Sequence, residues 1–232
     1  MRTINLSSKV SEEILPRVLA VKPDRPVVAF MGGAGGAENM SQTILRRQIM
    51  EGLVKAVIEV DAVVVDGGTD SGTMRLVNLG LSEVDFQGTY IGVAPAALVC
   101  VEEDEVKQGL TMIGRHHTHL VLSEGERWGD EREVMYKIVN TLAAGNPSIA
   151  VLANGGNLAQ KEVAENVKVE REVIVLVGSG RLADQIAEEI KNPDSSQDQD
   201  VKNLVIQGRF TLFDINQSPD KLASLIIEKL QR

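Results

Sequence analysis

Four glycine-rich turns carry the residues of this sequence that could hold a negatively charged ligand. Each turn follows a short apolar run and opens a helical pattern. Glycine lets a ligand approach the main chain closely, and the unpaired amides of the following helix carry about half a positive charge. The turns predict one binding edge, whose candidate residues are Gly32, Gly33, Ala34, Gly35 and Gly36; Gly67, Gly68, Thr69, Asp70, Ser71, Gly72 and Thr73; Asn154, Gly155, Gly156 and Asn157; and Gly178, Ser179, Gly180 and Arg181.

Side chains in these turns add the donors that a phosphate group requires. Thr69, Ser71, Thr73 and Ser179 offer hydroxyls, and Arg181 offers a permanent charge with bidentate geometry. A single Gly-Gly pair is more often only a tight turn. Four such turns at corresponding positions favour an anion or nucleotide site.

Several well-known nucleotide and hydrolase motifs are missing from the sequence. Glu38 stands where the last glycine of a G-x-G-x-x-G fingerprint would be, so the dinucleotide motif is absent. The chain has neither a G-x-x-x-x-G-K-[ST] loop nor a G-x-S-x-G elbow. ATP hydrolysis and serine-hydrolase chemistry are therefore not expected.

The alternation of apolar runs and helical patterns predicts the elements that position these turns. Nearly continuous apolar runs are typical of strands buried on both faces of a parallel sheet, and strand–helix alternation indicates βαβ units. We predict one doubly wound α/β domain over residues 1–232, with 1–25 as an N-terminal extension and 191–203 as a polar surface loop. Predicted strands cover 26–31, 62–66, 90–94, 119–123, 148–153, 172–177 and 211–215; predicted helices cover 41–60, 72–81, 131–144, 158–167, 181–190 and 219–230.

Composition narrows the classes of partner and compartment. The 232 residues carry a net charge of −9, which argues against non-specific binding to nucleic acid. A single cysteine, Cys100, cannot form an internal disulfide or an ordinary zinc site. No apolar run approaches the roughly 20 residues of a membrane-spanning helix. We expect a cytoplasmic protein that binds neither nucleic acid nor membrane.

An ordered series of motifs resembles a known family. The series resembles the LSDAT group of the SLOG (SMF/DprA–LOG) superfamily, free-standing prokaryotic relatives of the SLOG domain of melastatin-type TRP channels, over about residues 26–231. The motifs, in chain order, are Gly67-Gly68-Thr69-x-Ser71-Gly72-x-Met74, Ile91-Gly92-Val93-Ala94-Pro95, His117-Thr118-His119, Trp128-Gly129-x-Glu131, Gly155-Gly156 and Val177-Gly178-Ser179-Gly180-Arg181-x-Ala183-Asp184.

The resemblance implies a Rossmann-like fold, with a mostly parallel sheet and helices on both faces, that binds a nucleotide-derived ligand of the ADP-ribose or NAD class. Residues 67–73 and Arg181 match positions that contact phosphate and ribose in the family. Trp128 stands at an aromatic position near the base or distal ribose. Met135 departs from the pattern, because the ligand-binding channels carry arginine there. The resemblance also implies a homodimer.

A second branch of the superfamily, the LOG-type phosphoribohydrolases, carries P-G-G-x-G-T-x-x-E on a turn and helix. The corresponding residues 154–162 keep the paired glycines and Glu162 but lack the proline, the third glycine and the threonine. Glu162 could stabilise an oxocarbenium-like transition state or activate water. N-glycosidic hydrolysis of a nucleotide, with Glu162 as the catalytic carboxylate, is therefore an alternative to simple binding.

Other polar residues have both structural and functional interpretations. The sequence His116-His117-x-His119 suggests a metal site, a structural role, or a His119 that donates to the ligand near the glycine edge. Trp128 lies in a polar loop and could stack on a base or lie at a subunit contact. Glu131 could bind ligand or stabilise a helix start. Asp66 could cap its turn or contact a ribose hydroxyl.

Three hypotheses follow: a nucleotide-ligand sensor, a ribosyl hydrolase, and an interaction module whose glycine edge is empty. The first is preferred. It requires no cofactor and no metal, and its expected partners are a small nucleotide-like molecule, a second copy of the chain and an unidentified effector protein.

Overall fold

An eight-stranded sheet, parallel at every pairing, forms the centre of the fold. The computed structural model of the chain describes residues 1–22, 24–33, 40–101, 106 and 109–231, with the main chain alone for 40–42. Within them the strands are β1 (Arg2–Leu6), β2 (Val27–Gly32), β3 (Val63–Asp66), β4 (Tyr90–Pro95), β5 (Val99–Cys100), β6 (Thr111–Met112), β7 (His119–Ser123), β8 (Ser148–Ala153), β9 (Glu172–Val177) and β10 (Phe210–Asp214). The order across the main sheet is β1-β7-β4-β3-β2-β8-β9-β10, and β5 pairs with β6 separately.

Helices cover both faces of this sheet. They are α1 (Leu15–Leu19), a long α2, α3 (Gly72–Glu83), α4 (Arg132–Ala143), α5 (Asn157–Lys168), α6 (Arg181–Lys191), α7 (Gln199–Gln207) and α8 (Pro219–Leu230). Helix α2 has three consecutive parts, α-helical Met40–Arg47, π-helical Gln48–Leu53 and α-helical Val54–Glu59.

The central strands are apolar on both faces because each face packs against helices. Every residue of β3 and β4 is buried, and so are the first five of β2. Alternate residues divide between two cores: Val27 and Ala29 pack with α4 and α5, whereas Val28 and Phe30 pack with α2 and α8. The predicted α/β class, parallel sheet and two helical layers are confirmed.

Two predictions about individual segments were wrong. Residues 1–25 are not a mere extension, because β1 pairs with β7 as an edge strand of the main sheet. The segment 191–203 is not wholly a loop, because α7 begins at Gln199, where the side chain of Asp198 caps the amides of Asp200 and Val201. The apolar residues that identify α7 as a helix lie mostly beyond position 203, so the polar composition concealed its start.

The strand order places a topological switch point beside β2. After β2 the chain adds β3, β4 and β7 on one side, and β8 then pairs on the other side of β2. In open α/β sheets, ligands bind in the crevice outside the carboxyl ends of the strands at such a point. Gly32 at the end of β2 is opposite Ala153 at the end of β8. The turns after these two strands are therefore the expected walls of a site.

Among the described residues, none of the helices is long and apolar enough to cross a membrane.

The end of β2 makes a contact with α3 that requires glycine. A β-carbon at Gly32 would overlap Thr73 Oγ1 and lie 3.1 Å from the carbonyl oxygen of Ala153. We predict that Gly32→Ala lowers the free energy of unfolding by about 1–3 kcal/mol, the usual penalty for overpacking. Gly67→Ala is the matched control, since a β-carbon there meets nothing within 4 Å, and should change stability by less than about 0.5 kcal/mol. Urea unfolding of both variants measures the difference; equal stability would contradict this packing.

Candidate functional site

A cavity of about 560 Å³ opens at the carboxyl edge of the sheet, at the switch point. All four glycine turns and the loop before α4 contribute to its wall, the fourth turn through Arg181 alone. The predicted residues that line it are Gly32, Gly33, Gly67, Thr69, Ser71, Trp128, Glu131, Gly156, Asn157, Glu162 and Arg181. Turns far apart in sequence thus meet around one space of a size usual for small-molecule sites.

Other predicted residues lie behind this wall or outside the described part of the chain. Gly68, Asp70, Gly72, Thr73, Asn154, Gly155, Gly178, Ser179 and Gly180 are described but do not line the cavity. Ala34, Gly35 and Gly36 lie outside the described residues.

Arg181 is an exposed residue that lines the site. Its guanidinium occupies the space that side chains at two neighbouring turns would fill: a β-carbon at Gly33 would lie 3.3 Å from Nη1, and one at Gly156 would collide with Nη2. Arg181 is also in the left-handed region, with φ of 51°, as is Asn154 with φ of 62°. Such conformations are uncommon for an arginine and cluster at functional sites. The two glycines therefore make room for a fixed cation.

The helix ends at this edge differ in what their amides can bind. The amides of Leu182 and Ala183, in the first turn of α6, donate to the carbonyls of Gly155 and Asn154 at 3.3 and 3.0 Å. The Thr73 amide in α3 donates to the Gly33 carbonyl at 3.1 Å. These helix ends are therefore occupied by neighbouring turns.

Helix α5 presents its first amides to the cavity. Its hydrogen-bond ladder begins where the Gln160 amide donates to the Gly156 carbonyl at 2.9 Å. The amides of Asn157, Leu158 and Ala159 precede that bond, and all three residues line the cavity. The positive end of α5 therefore lies beside the Arg181 guanidinium, in an arrangement suited to an anion.

Asn154 and Ser179 join two turns to each other. The Asn154 amide donates to Ser179 Oγ at 2.7 Å, and Asn154 Nδ2 donates to the Ser179 carbonyl at 2.9 Å. Both residues are buried. Their expected role as direct ligand contacts is replaced by a structural one, because their polar atoms are already paired within the fold.

Two hydroxyls remain at the cavity wall on the other side. Thr69 Oγ1 and Ser71 Oγ lie 2.8 Å apart and share a hydrogen bond. Each hydroxyl can still accept or donate a further bond, since an O–H has one proton and two lone pairs. Thr73 is different, because its side chain is fully buried under Gly32.

Two carboxyl groups with raised pKa values line the same cavity. Loss of hydration, and then the charge of the nearby Glu131, raise the pKa of Glu162 to about 8, while Arg132 opposes the shift. Burial also raises the pKa of Glu131 above its ordinary value, although its Oε2 accepts a 2.7 Å bond from the Gly129 amide. Glu162 is therefore largely protonated at neutral pH and can donate a hydrogen bond or a proton.

Trp128 forms the outer rim of the cavity. It is 39% exposed, and the next residue, Gly129, has φ of 100° and packs close to Leu158. The loop thus places an aromatic side chain at the rim of the site, where a planar group could stack.

His119 was expected near the glycine edge, and this expectation was wrong. It is the first residue of β7, paired with Arg2 and Ile91, and lies at the amino edge of the parallel sheet. Its Nδ1 is 2.8 Å from Thr118 Oγ1. Burial, and then the positive charge of Arg2, lower its pKa. His117 is buried and bonded to Asp66 at 2.9 Å.

The cavity also contains residues that sequence analysis missed. Phe30 was indistinguishable from a core residue, Met74 was part of a motif but was not singled out as a site residue, and Thr111 belongs to the two-residue strand β6. Leu158 and Ala159 could have been predicted from their spacing. They lie four and three residues before Glu162, hence on the same helix face. The additional lining residues are Phe30, Met74, Thr111, Leu158 and Ala159.

A second cavity of about 530 Å³ lies at the opposite, amino edge of the sheet, lined by Ser148, Arg171 and Glu172 among others. The Arg171 guanidinium there donates to Ser148, Asn166 and Asn140. Because Arg171 links the ends of α4 and α5 to β8, it acts as a structural brace.

The protonation of Glu162 predicts a pH dependence of stability. With a pKa of about 8 in the folded state against 4.5 ordinarily, the fold binds this proton more tightly than the unfolded chain does. The stabilisation that this bound proton gives the fold is complete below pH 4.5 and is lost as the pH rises through 8. Between pH 5 and 8 we expect the free energy of unfolding of the wild type to fall by roughly 2 kcal/mol relative to that of Glu162→Gln. This is less than the full effect of the pKa shift, because water in the cavity screens part of it.

Urea unfolding of both proteins across this pH range measures the difference. Glu165→Gln, on the same helix and paired with Lys168 at 3.0 Å, is the control and should follow the wild type. Parallel pH profiles for wild type and Glu162→Gln would show that Glu162 is ionised in the fold at neutral pH.

Comparisons with known proteins agree with this architecture. Among solved structures, the chain is similar to the X-ray structure of TM1055, a Northeast Structural Genomics Consortium target, with a TM-score of 0.57 and 18% identity, covering 88% of this chain and 98% of that one. A likeness at this identity shows the fold alone. The family model for prokaryotic LSDAT, described as "SLOG in TRPM, prokaryote", matches residues 25–224. Because this match spans most of the sequence and includes every turn of the site, the protein belongs to the prokaryotic LSDAT family of SLOG domains.

Proposed function

We propose that the cavity at the switch point binds a phosphorylated, nucleotide-derived ligand of the ADP-ribose or NAD class. The observation that carries this proposal is the position of the Arg181 guanidinium, over Gly33 and Gly156 and beside the first turn of α5. A permanent cation next to a positive helix end favours a phosphate, and a guanidinium can hold it through two bonds. Net negative charge of the chain does not oppose this, since the positive potential is local.

The other parts of the wall support a nucleoside rather than a simple anion. Trp128 offers an aromatic face at the rim, and Glu131 lies on the same loop. Hydroxyls of Thr69 and Ser71 and the protonated carboxyl of Glu162 offer donors and acceptors for ribose hydroxyls. A ligand with a phosphate at one end, a sugar in the middle and a planar base at the rim uses all of these groups.

Arg181→Ala should weaken binding of ADP-ribose by roughly 1.5–3 kcal/mol, because it removes charge-assisted hydrogen bonds to phosphate. Trp128 is the only tryptophan in the sequence, so its fluorescence reports on the cavity directly, and isothermal titration gives the affinity independently. Arg46→Ala is the matched control, since Arg46 pairs with Glu83 at an exposed site and should leave the affinity unchanged.

A second variant tests the geometry of the same cation. Gly156→Ala keeps Arg181 but places a β-carbon against its Nη2, and should weaken binding without loss of charge. If both Arg181→Ala and Gly156→Ala bind ADP-ribose as tightly as the wild type does, Arg181 does not contact the ligand. If ADP-ribose, NAD and AMP all fail to change either tryptophan fluorescence or thermal stability, the binding proposal itself fails, since saturation at 100 times Kd should add about 2.7 kcal/mol.

Hydrolysis of an N-glycosidic bond is the second candidate, and the raised pKa of Glu162 favours it. A carboxyl that retains its proton near neutral pH can act as a general acid toward a leaving base. Incubation with AMP or NAD, followed by chromatography, would detect the free base. Glu162→Gln should abolish that release, whereas Glu165→Gln should not; unchanged turnover in Glu162→Gln would exclude this role.

We also propose that the protein is a homodimer and that it is cytoplasmic. The first proposal rests on the family and the second on composition. Light scattering of the purified chain tests the first.

A further inference from the structure

Three fully buried side chains form a hydrogen-bonded group directly behind one wall of the cavity. Asp66 ends β3, Tyr90 begins β4, and His117 lies just before β7. Tyr90 Oη donates to Asp66 Oδ2 at 2.5 Å, and His117 Nε2 lies 2.9 Å from Asp66 Oδ1. The Tyr90 and His117 rings are also in contact, with centroids 4.0 Å apart. None of the three lines the cavity, so direct contact with a ligand does not explain the group.

The surroundings of His117 Nδ1 fix a proton on that nitrogen. The carbonyl oxygen of Gly114 lies 2.8 Å away and can only accept a hydrogen bond. Asn78 Nδ2 is more distant, at 3.4 Å. An unprotonated Nδ1 would set its lone pair against the carbonyl at the shorter of the two distances. Nδ1 is therefore the donor, and the carbonyl accepts.

The surroundings of Nε2 place a second proton on the ring. Asp66 Oδ1 also accepts the Gly68 amide at 2.8 Å, and Oδ2 accepts the Tyr90 hydroxyl. Both oxygens of Asp66 therefore act as hydrogen-bond acceptors. The bond between Nε2 and Oδ1 is then donated by His117. With both nitrogens donating, the imidazole is a cation buried against its carboxylate.

This ion pair is joined to the cavity wall through the main chain. Asp66 holds the Gly68 amide, and the Gly68 carbonyl accepts the amide of Gly114, the residue bonded to His117. Thr69 forms a bridge with Ile113, and the Asp70 amide donates to the Met112 carbonyl. The turn that carries Gly67 and Thr69 is thus fastened to the segment that carries Thr111 on the same wall.

Close packing leaves little freedom for this connection to shift. A β-carbon at Gly92 would lie 2.6 Å from the α-carbon of Gly68 and 2.8 Å from His117 Nε2. The Gly68 backbone and the histidine ring therefore both pack against Gly92 in β4. Movement of the ring would displace the turn.

We propose that His117 is a positioning residue, an imidazolium that holds the 67–70 turn and the 111–114 segment in the form that makes the wall of the ligand cavity. The expected effect of His117 on ligand binding rests on the proposed function. The charge state of His117 and its role in holding the turn do not.

Charge and burial around His117 agree with this state. Burial by itself would lower its pKa, but the Asp66 carboxylate, followed by the Gly114 carbonyl, raises it above 6.5 overall. The other titratable groups that face the ring are Tyr90 and, more weakly, Asp70. The stabilisation is complete below pH 6.5 and is lost only as pH rises through the higher, folded pKa.

Nitrogen NMR of the unaltered chain tests the charge state without any ligand. The sequence has three histidines, so the other two are internal controls: His116 is exposed and His119 has a lowered pKa. At pH 6.5 we expect both His117 nitrogens to show mainly the shifts of a protonated ring, because its pKa is raised above that value, while His119 shows mainly a neutral ring. An unprotonated nitrogen on His117 at that pH would overturn the proposal.

Amide exchange separates positioning from general stability. In His117→Gln we expect exchange at Gly68 and Gly114 to accelerate at least tenfold more than at Val175 in the distant strand β9, with His116→Gln as control. A uniform acceleration would mean that His117 serves only overall stability. If His117→Gln does not fold, the spectrum of the wild type still decides the charge state, and Asp66→Asn, which keeps an acceptor for Gly68, gives the second exchange measurement.

Binding is the last readout. Where the wild type binds ADP-ribose, His117→Gln should weaken it at least tenfold. Local exchange that accelerates while affinity stays constant would contradict the link between the turn and ligand. Absence of binding in the wild type would count against the proposed ligand class and leave the NMR result standing.

Discussion

Hydrogen bonds between neighbouring turns hold the carboxyl edge of this sheet together. The carbonyl of Gly33 binds the first turn of α3, and the carbonyls of Asn154 and Gly155 bind the first turn of α6. Because these bonds use the helix ends internally, the fold can bring several turns together without relying on a ligand to join them. What remains open, the first turn of α5 beside Arg181, is therefore a defined position rather than a general property of the edge.

The site contains groups that attract negative charge close to groups that would repel it. Arg181 and the α5 terminus favour negative charge, whereas Glu131 and Glu162 would repel it if both were ionised. Loss of hydration resolves this conflict, since it raises the pKa of both carboxyl groups and leaves Glu162 largely neutral near pH 7. A phosphate can then share the cavity with these carboxyl groups, and the neutral acid gains a proton that it can donate.

The sequence predicted the sheet and the meeting of the turns because both depend on local patterns. Apolar runs buried on both faces identify β2, β3 and β8, and glycines at their ends mark the edge. The positions of individual side chains depend on contacts between distant segments and could not be predicted in the same way. Ser179 was predicted to contact the ligand, but its hydroxyl accepts a hydrogen bond from Asn154. The position of His119 depended on which end of β7 it occupied. Strand β1 was missed because its exposed, mixed residues carry no apolar pattern.

The pairing of β1 also constrains the order in which the molecule can be completed. Within the described part of the chain, β1 pairs with one strand, β7, which begins at His119. Strand β1 must therefore wait until β7 has been synthesised before it can pair, while β2 and β3 are close in sequence and can pair earlier. Long-range parallel pairing of this kind is slow, because a large loop must close before any contact rewards it. The pairing of β1 with β7 therefore closes a much longer loop than the pairing of β2 with β3.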